Sequence, residues 1–160
     1  MPPNSAAVLT VSDSAAHGLR ADLSGPAVAE TLREAQYNVV HTEVVSDEVE
    51  LIQVALVRIC DQARLVITTG GTGIASRDVT PEATRAVCSR LIEGIPERMR
   101  AIGSQTTPMA VLSRAVCGIR NRSLILNLPG SPVAARQSLA AVIQLIPHIF
   151  DLIDGKTEHK

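Results

Sequence analysis

The sequence predicts an α/β fold organised on a parallel sheet, and three observations carry that expectation. Leu65, Val66 and Ile67 form an apolar, partly β-branched run of the kind that lies covered on both faces of a sheet. Gly70, Gly71 and Gly73, arranged around Thr72, end that run in a glycine loop. A helix then opens with Thr80 as the expected N-cap, Pro81 at its first position and Glu82 in its first turn. Strand, glycine loop and helix in this order mark the C-terminal edge of a parallel sheet, where α/β folds bind ligands. At 160 residues, a single domain over 1–160 is expected.

Taken in order, the first strand is expected over residues 6–11 (AAVLTV), followed by a polar loop as far as Ser24. Ser24 or Gly25 caps a helix that Pro26 begins, with Val28, Thr31, Leu32 and Ala35 on one stripe. Residues 39–45 (VVHTEVV) alternate, which predicts a strand with one partly wet face. Asp47, with Glu50 three residues on, has the spacing of a capping box for a helix reaching about residue 62. Beyond the glycine loop, helices over 81–91 and 97–105 form an inserted segment, and a short strand precedes a turn at Asn121. Residues 123–128 (SLILNL) form the last strand, after which Ser131 caps and Pro132 starts the final helix. That helix runs over 133–153 and should kink between Ile143 and Pro147. A polar tail, expected to fray, closes the chain over 155–160.

The glycine loop is of phosphate-binding type by position, yet it is neither a Walker loop nor a GxGxxG fingerprint. Asp78 follows it closely, and a carboxylate beside amides arranged for anions is useful mainly when a cation sits between them. Parallel strands bring their C-terminal ends to one edge, so Asp47 and Asp78 are expected to converge there.

Composition excludes several classes. Lysine and arginine number 15 against 16 acids, a formal net charge of −1, so no basic field draws the chain to nucleic acid. Tyr37 and Phe150 are its only aromatic residues, too few for a base-stacking platform. A bound purine or pterin must therefore rest on aliphatic side chains. Cys60, Cys88 and Cys117 are odd in number and unpaired in spacing, and the four histidines show no ligand spacing, so neither a disulfide framework nor a zinc site is expected. No signal-peptide pattern opens the chain and no apolar run is expected to approach membrane-spanning length, which makes the cytoplasm the expected compartment, without membrane partners.

Seven ordered segments resemble one family: TVSDS from Thr10, DLSGP from Asp22, VVSDE from Val44, TTGGTGIASRDVTPEAT from Thr68, TPMAVLSR from Thr107, GIR from Gly118 and LILNLPGSP from Leu124. Through them the chain resembles the molybdopterin adenylyltransferases of molybdenum-cofactor biosynthesis, the MogA-type enzymes and the G domains of plant and animal cofactor-synthesis proteins. The resemblance covers nearly the whole chain. It implies a three-layer α/β/α fold of the MogA/MoaB molybdopterin-binding kind with a mostly parallel central sheet. It also implies a homotrimer that uses ATP and Mg²⁺ to adenylylate the terminal phosphate of molybdopterin, releases pyrophosphate, and works beside a molybdenum-insertion enzyme.

Carried over position by position, the resemblance makes Asp47 and Asp78 the catalytic and magnesium-binding acids. Gly70, Gly71, Thr72 and Gly73 match the nucleotide-phosphate loop, with Ser12, Asp13, Leu128, Pro129 and Gly130 beside it. Met109, Ser113 and Arg114 match the pterin side, with Arg114 expected on the pterin phosphate. Two departures stand out: Ser46 replaces a proline common among relatives, and Ser14 an arginine or threonine. Two other classes remain open, a non-catalytic module of the MoaB kind that holds the pterin for a partner, and an oligomeric scaffold. The first predicts pterin binding without pyrophosphate release, the second oligomerisation without nucleotide dependence.

Overall fold

The apolar runs of the sequence become the strands of one six-stranded sheet in the computed structural model, which describes residues 1–156. Residues 157–160, most of the expected tail, lie outside the described residues. The strands are β1 (Ser5–Val11), β2 (Asn38–Val45), β3 (Leu65–Thr69), β4 (Arg90–Leu91), β5 (Cys117–Arg120) and β6 (Ser123–Leu128). Their order in the sheet is β2-β1-β3-β6-β5-β4. The first four in that order run parallel, with Val8 beside Thr42 and Ile67, and Ile67 beside Leu126. β5 and β4 continue the sheet antiparallel.

Strand alternation sends side chains to two cores. Ala6, Val8, Leu65, Ile67, Leu124 and Leu126 face one helical layer, made by α2 (Ser24–Glu34), α5 (Gly94–Gly103), α6 (Pro132–Val142) and α7 (Ile146–Ile153). Ala7, Leu9, Val66 and Ile125 face the other, made by α3 (Val49–Cys60) and α4 (Thr80–Val87). The expected α/β/α sandwich with a mostly parallel sheet is therefore present. β2 lies at the edge and shows the expected alternation of exposed and half-buried residues, with Glu43 on its drier face accepting from Arg58 and bonded to His41.

Four local expectations change. Asp47 does not cap α3, which begins at Val49 with Glu48 before it and no side-chain cap, because the Asp47 carboxylate is turned toward β1. Thr80 is the first residue of α4 rather than its cap, and its hydroxyl donates to the Gly70 carbonyl instead. α2 already includes Ser24 and Gly25, and Asp22 takes the Gly25 N–H at 2.9 Å. The helix expected over 81–91 stops at Val87, where the chain turns into the two-residue strand β4.

The final helix kinks where expected, passing through a tight 3₁₀ turn over Ile143–Leu145 between α6 and α7. Contrary to expectation, Pro132–Ile153 is long and apolar enough to match a spanning helix by length and composition. The kink interrupts it, and Leu139, Val142, Ile146 and Phe150 pack on the sheet, so its apolar face belongs to the core.

Candidate functional site

The four parallel strands deliver four loops to one edge. β1 leads into Ser12-Asp13, β2 into Ser46-Asp47, β3 into Gly70–Gly73 and on to Asp78, and β6 into Pro129-Gly130. The strand order reverses between β1 and β3, and a doubly wound sheet opens its crevice at such a point. Each loop is tied to its neighbours. Ser12 N–H donates to Val45 O at 2.9 Å, Gly70 N–H to Leu128 O at 3.1 Å, and Thr69 Oγ1 to Pro129 O at 2.7 Å.

Asp47 lies against the glycine loop from outside. Gly71 has φ +67°, and a Cβ there would meet Thr80 Oγ1 and come within 3.1 Å of Asp47 Oδ1. Asp78 lies against it further along, since a Cβ on Gly73 would stand 2.7 Å from Asp78 Oδ2. That same oxygen accepts the Ala75 N–H at 3.0 Å, which curls the segment after the glycines back on itself. The structure thus brings Asp47 and Asp78 to the same loop.

The carboxylates of Asp13 and Asp47 each accept the other residue's backbone N–H, and Arg77 clasps Asp13 through Nε and Nη2, both at 2.9 Å. The Arg77 hydrogen bond chiefly holds the Asp13 carboxyl below the usual carboxylate value. Burial pushes Asp47 the other way, helped by the charges of Asp13 and Asp78. Arg77 belongs to the glycine-loop motif, but its partner is 64 positions away, so sequence spacing assigns it no role. The same applies to Asn127, a lone amide inside an apolar strand. It donates to Thr68 and Thr84 hydroxyls, each at 2.9 Å, and accepts the Val116 N–H at 3.0 Å.

Two hollows flank the loop and share Gly71, Asp78 and Gly130. One, of about 430 Å³, is largely apolar, with Met99, Met109, Leu112, Ser113, Pro129 and Ala134 among its walls. The other, of about 330 Å³, is polar and holds Ser12, Ser14, Arg20, Asp22 and Asp47. Thr72 lines the apolar lobe, while Leu128 is fully buried beneath the loop and supports it through its carbonyl. Ser12 caps the short helix α1 (Asp13–Ala16), which was expected to be loop, by accepting the Ala15 N–H.

Arg114 is the expected site residue whose surroundings differ most from a phosphate contact. Its Nε donates to Gly73 O at 2.8 Å and its Nη2 to Asp78 O at 2.6 Å, while Nη1 pairs with Glu82. It lines neither lobe and instead clamps the two ends of the loop from behind.

Comparison with known proteins decides the family. The model of a probable molybdopterin binding domain matches residues 7–148. The chain belongs to this molybdopterin-binding family. A molybdopterin adenylyltransferase of Helicobacter pylori strain J99 is 49% identical over 152 residues, covering 92% of this chain and 86% of that protein. The molybdopterin biosynthesis enzyme MoaB of Thermus thermophilus superposes with TM-score 0.88 at 46% identity, over 94% of this chain and 96% of its own. The tungsten cofactor synthesizing protein MoaB of Pyrococcus furiosus gives TM-score 0.86 at 33% identity, over 93% and 96%.

Proposed function

We propose that this protein is a molybdopterin adenylyltransferase, which moves AMP from Mg·ATP onto the terminal phosphate of molybdopterin and releases pyrophosphate. One observation carries the reading: the apolar and polar lobes meet at the glycine loop, with Asp47 and Asp78 beside the junction. The name of the 49% identical relative supports it. The pterin would rest on Met109 and Ser113 in the apolar lobe. The nucleotide would take the polar lobe on Ser12 and Gly130, while Pro129 lines the apolar lobe, Asp13 is tied to Asp47 and Arg77, and Leu128 supports the loop from below; its phosphates would lie on the amides of Gly70, Gly71, Thr72 and Gly73.

A phosphate oxygen of the pterin forms a bond to the α-phosphorus of ATP. The bond from that phosphorus to the bridging oxygen breaks, and its electron pair leaves with pyrophosphate. Two anions must approach each other for this, so electrostatic positioning supplies most of the catalysis. The loop amides take developing charge, and Arg114 holds the loop's shape through Gly73 and Asp78. No cluster of three or more metal-binding side chains exists among the described residues. Two carboxylates near a phosphate loop nonetheless suit Mg²⁺, which takes one or two carboxylates and fills its shell from substrate phosphates and water. Asp47 and Asp78 would hold it, and the ion would supply charge neutralisation between the two anions.

A homotrimer, cytoplasmic location and delivery of product to a molybdenum-insertion enzyme belong to the same proposal. The trimer and the delivery come from the family resemblance, and sedimentation velocity tests the first. A pterin-binding module without turnover is the alternative to this reading. Pyrophosphate release from Mg·ATP in the presence of molybdopterin separates the two. Release that requires pterin and disappears in Asp78→Asn is expected; tight pterin binding with no release would establish the module.

A further inference from the structure

We infer that Arg20 binds the departing pyrophosphate end of the nucleotide in the polar lobe. The inference rests on the adenylyl-transfer reading and deepens it. The polar lobe is lined by three carboxylates, Asp22, Asp47 and Asp78, and by Arg20 as its one lysine or arginine. A triphosphate entering such a lobe meets repulsion that a magnesium ion and the loop amides reduce only in part. A guanidinium lining the same lobe supplies the missing charge, and its planar fork suits phosphate oxygens.

The other arginines around the site are already occupied. Arg77 is held by Asp13, Arg114 by the loop carbonyls and Glu82, and Arg100 reaches the Ser113 carbonyl and lines the apolar lobe. Arg20 forms no ion pair among the described residues.

Its backbone, by contrast, is fixed. Leu19 and Arg20 N–H groups both donate to Ser14 O, at 2.8 and 3.3 Å. Two residues on, Asp22 anchors the loop by accepting Thr10 Oγ1 at 2.7 Å and the Gly25 N–H at 2.9 Å. A fixed base carrying a free cation over an acidic lobe limits the entropy lost when the side chain closes on an anion. When the bond at the α-phosphorus breaks, the negative charge gained by pyrophosphate develops beside this cation.

Calorimetric titration of the full chain with Mg·tripolyphosphate and separately with AMP tests the inference, using wild type, Arg20→Ala and Arg20→Lys. The expected result is a loss of about tenfold or more in tripolyphosphate affinity for Arg20→Ala, partly restored by Arg20→Lys, with AMP affinity unchanged. Equal tripolyphosphate affinity in wild type and Arg20→Ala, or no binding by wild type, would overturn it. Wild-type pyrophosphate release is measured alongside. Arg20-dependent tripolyphosphate binding without release would retain the inference as a phosphate site and remove the adenylyl-transfer reading. Release with Arg20-independent binding would do the reverse.

Discussion

The Asp47 carboxylate accepts the Asp13 N–H at 2.8 Å while the Asp13 carboxylate accepts the Asp47 N–H at 3.0 Å. This reciprocal pair ties the ends of β1 and β2 together and treats its two acids unequally. Asp13 is held low by Arg77, whereas burial and two neighbouring acids disfavour the ionised form of Asp47. Such a charge stores destabilisation at a site where a substrate-bound cation can relieve it.

Asp47→Asn is therefore expected to stabilise the unliganded fold and destroy turnover. The native carboxyl is raised above its ordinary 3.8, so stability linked to it is fully present below that value and lost as pH rises through the raised one. The amide carries no charge to lose, and its oxygen can still accept the Asp13 N–H. Thermal melts at pH 7 should show a gain of roughly 2 °C that shrinks toward pH 4, with turnover down about 10²- to 10³-fold. Asp13→Asn should lose stability at pH 7, because a lowered carboxyl contributes above 3.8 and ceases to contribute as pH falls through its native value. A destabilised Asp47→Asn would contradict this account.

Much of this site is legible because its parts sit at the ends of recognisable strands. The glycine loop and Asp78 lie within one motif, and the parallel topology carries Asp47 to the same edge. Pairings across long separations are not legible. Capping rules assign Asp47 and Thr80 to their own helices, but each bonds to a different loop, at Asp13 and Gly70. Two-residue β4 carries too little periodicity to show itself, and its residues are exposed. Arg114 is recognisable as a site residue from its motif, while the groups that occupy its guanidinium depend on the folded loop.

Arg114→Lys tests whether that arginine acts through the loop. One ammonium on a flexible stem cannot reproduce a fork that serves Gly73 O, Asp78 O and Glu82 together. Steady-state kinetics should show kcat reduced about tenfold with the pterin KM little changed. A raised pterin KM at unchanged kcat would instead indicate direct contact with the pterin phosphate.

Asn127→Leu should weaken the whole domain. The amide is fully buried and bonded at three points, linking β6 to β3, α4 and the approach to β5. Leucine leaves the Val116 N–H and two threonine hydroxyls without that partner in a dry interior. Urea unfolding should give a loss of about 2–4 kcal/mol at unchanged m-value. A loss under about 1 kcal/mol would mean the hydroxyls find other donors and the Val116 N–H another acceptor.

The three thiols give a pH test of the core independent of the site. All are free, and burial pushes Cys60 and Cys117 up to about 12 and Cys88 up to about 11. Each folded value lies above the ordinary 9.0, so the associated stability is present below pH 9 and lost as pH rises through the native values. Urea midpoints should hold level from about pH 7 to 8.5 and then decline. At pH 8 the thiolate fraction in the native protein is lower than in the unfolded chain by roughly two orders of magnitude at Cys88 and three at Cys60 and Cys117, and maleimide labelling should slow at least as much. Cys88, less buried than the other two, should label first, with Cys88→Ser removing that early phase. Rapid labelling of all three at pH 8 would show that the region around β4 and β5 opens well below the energy of global unfolding.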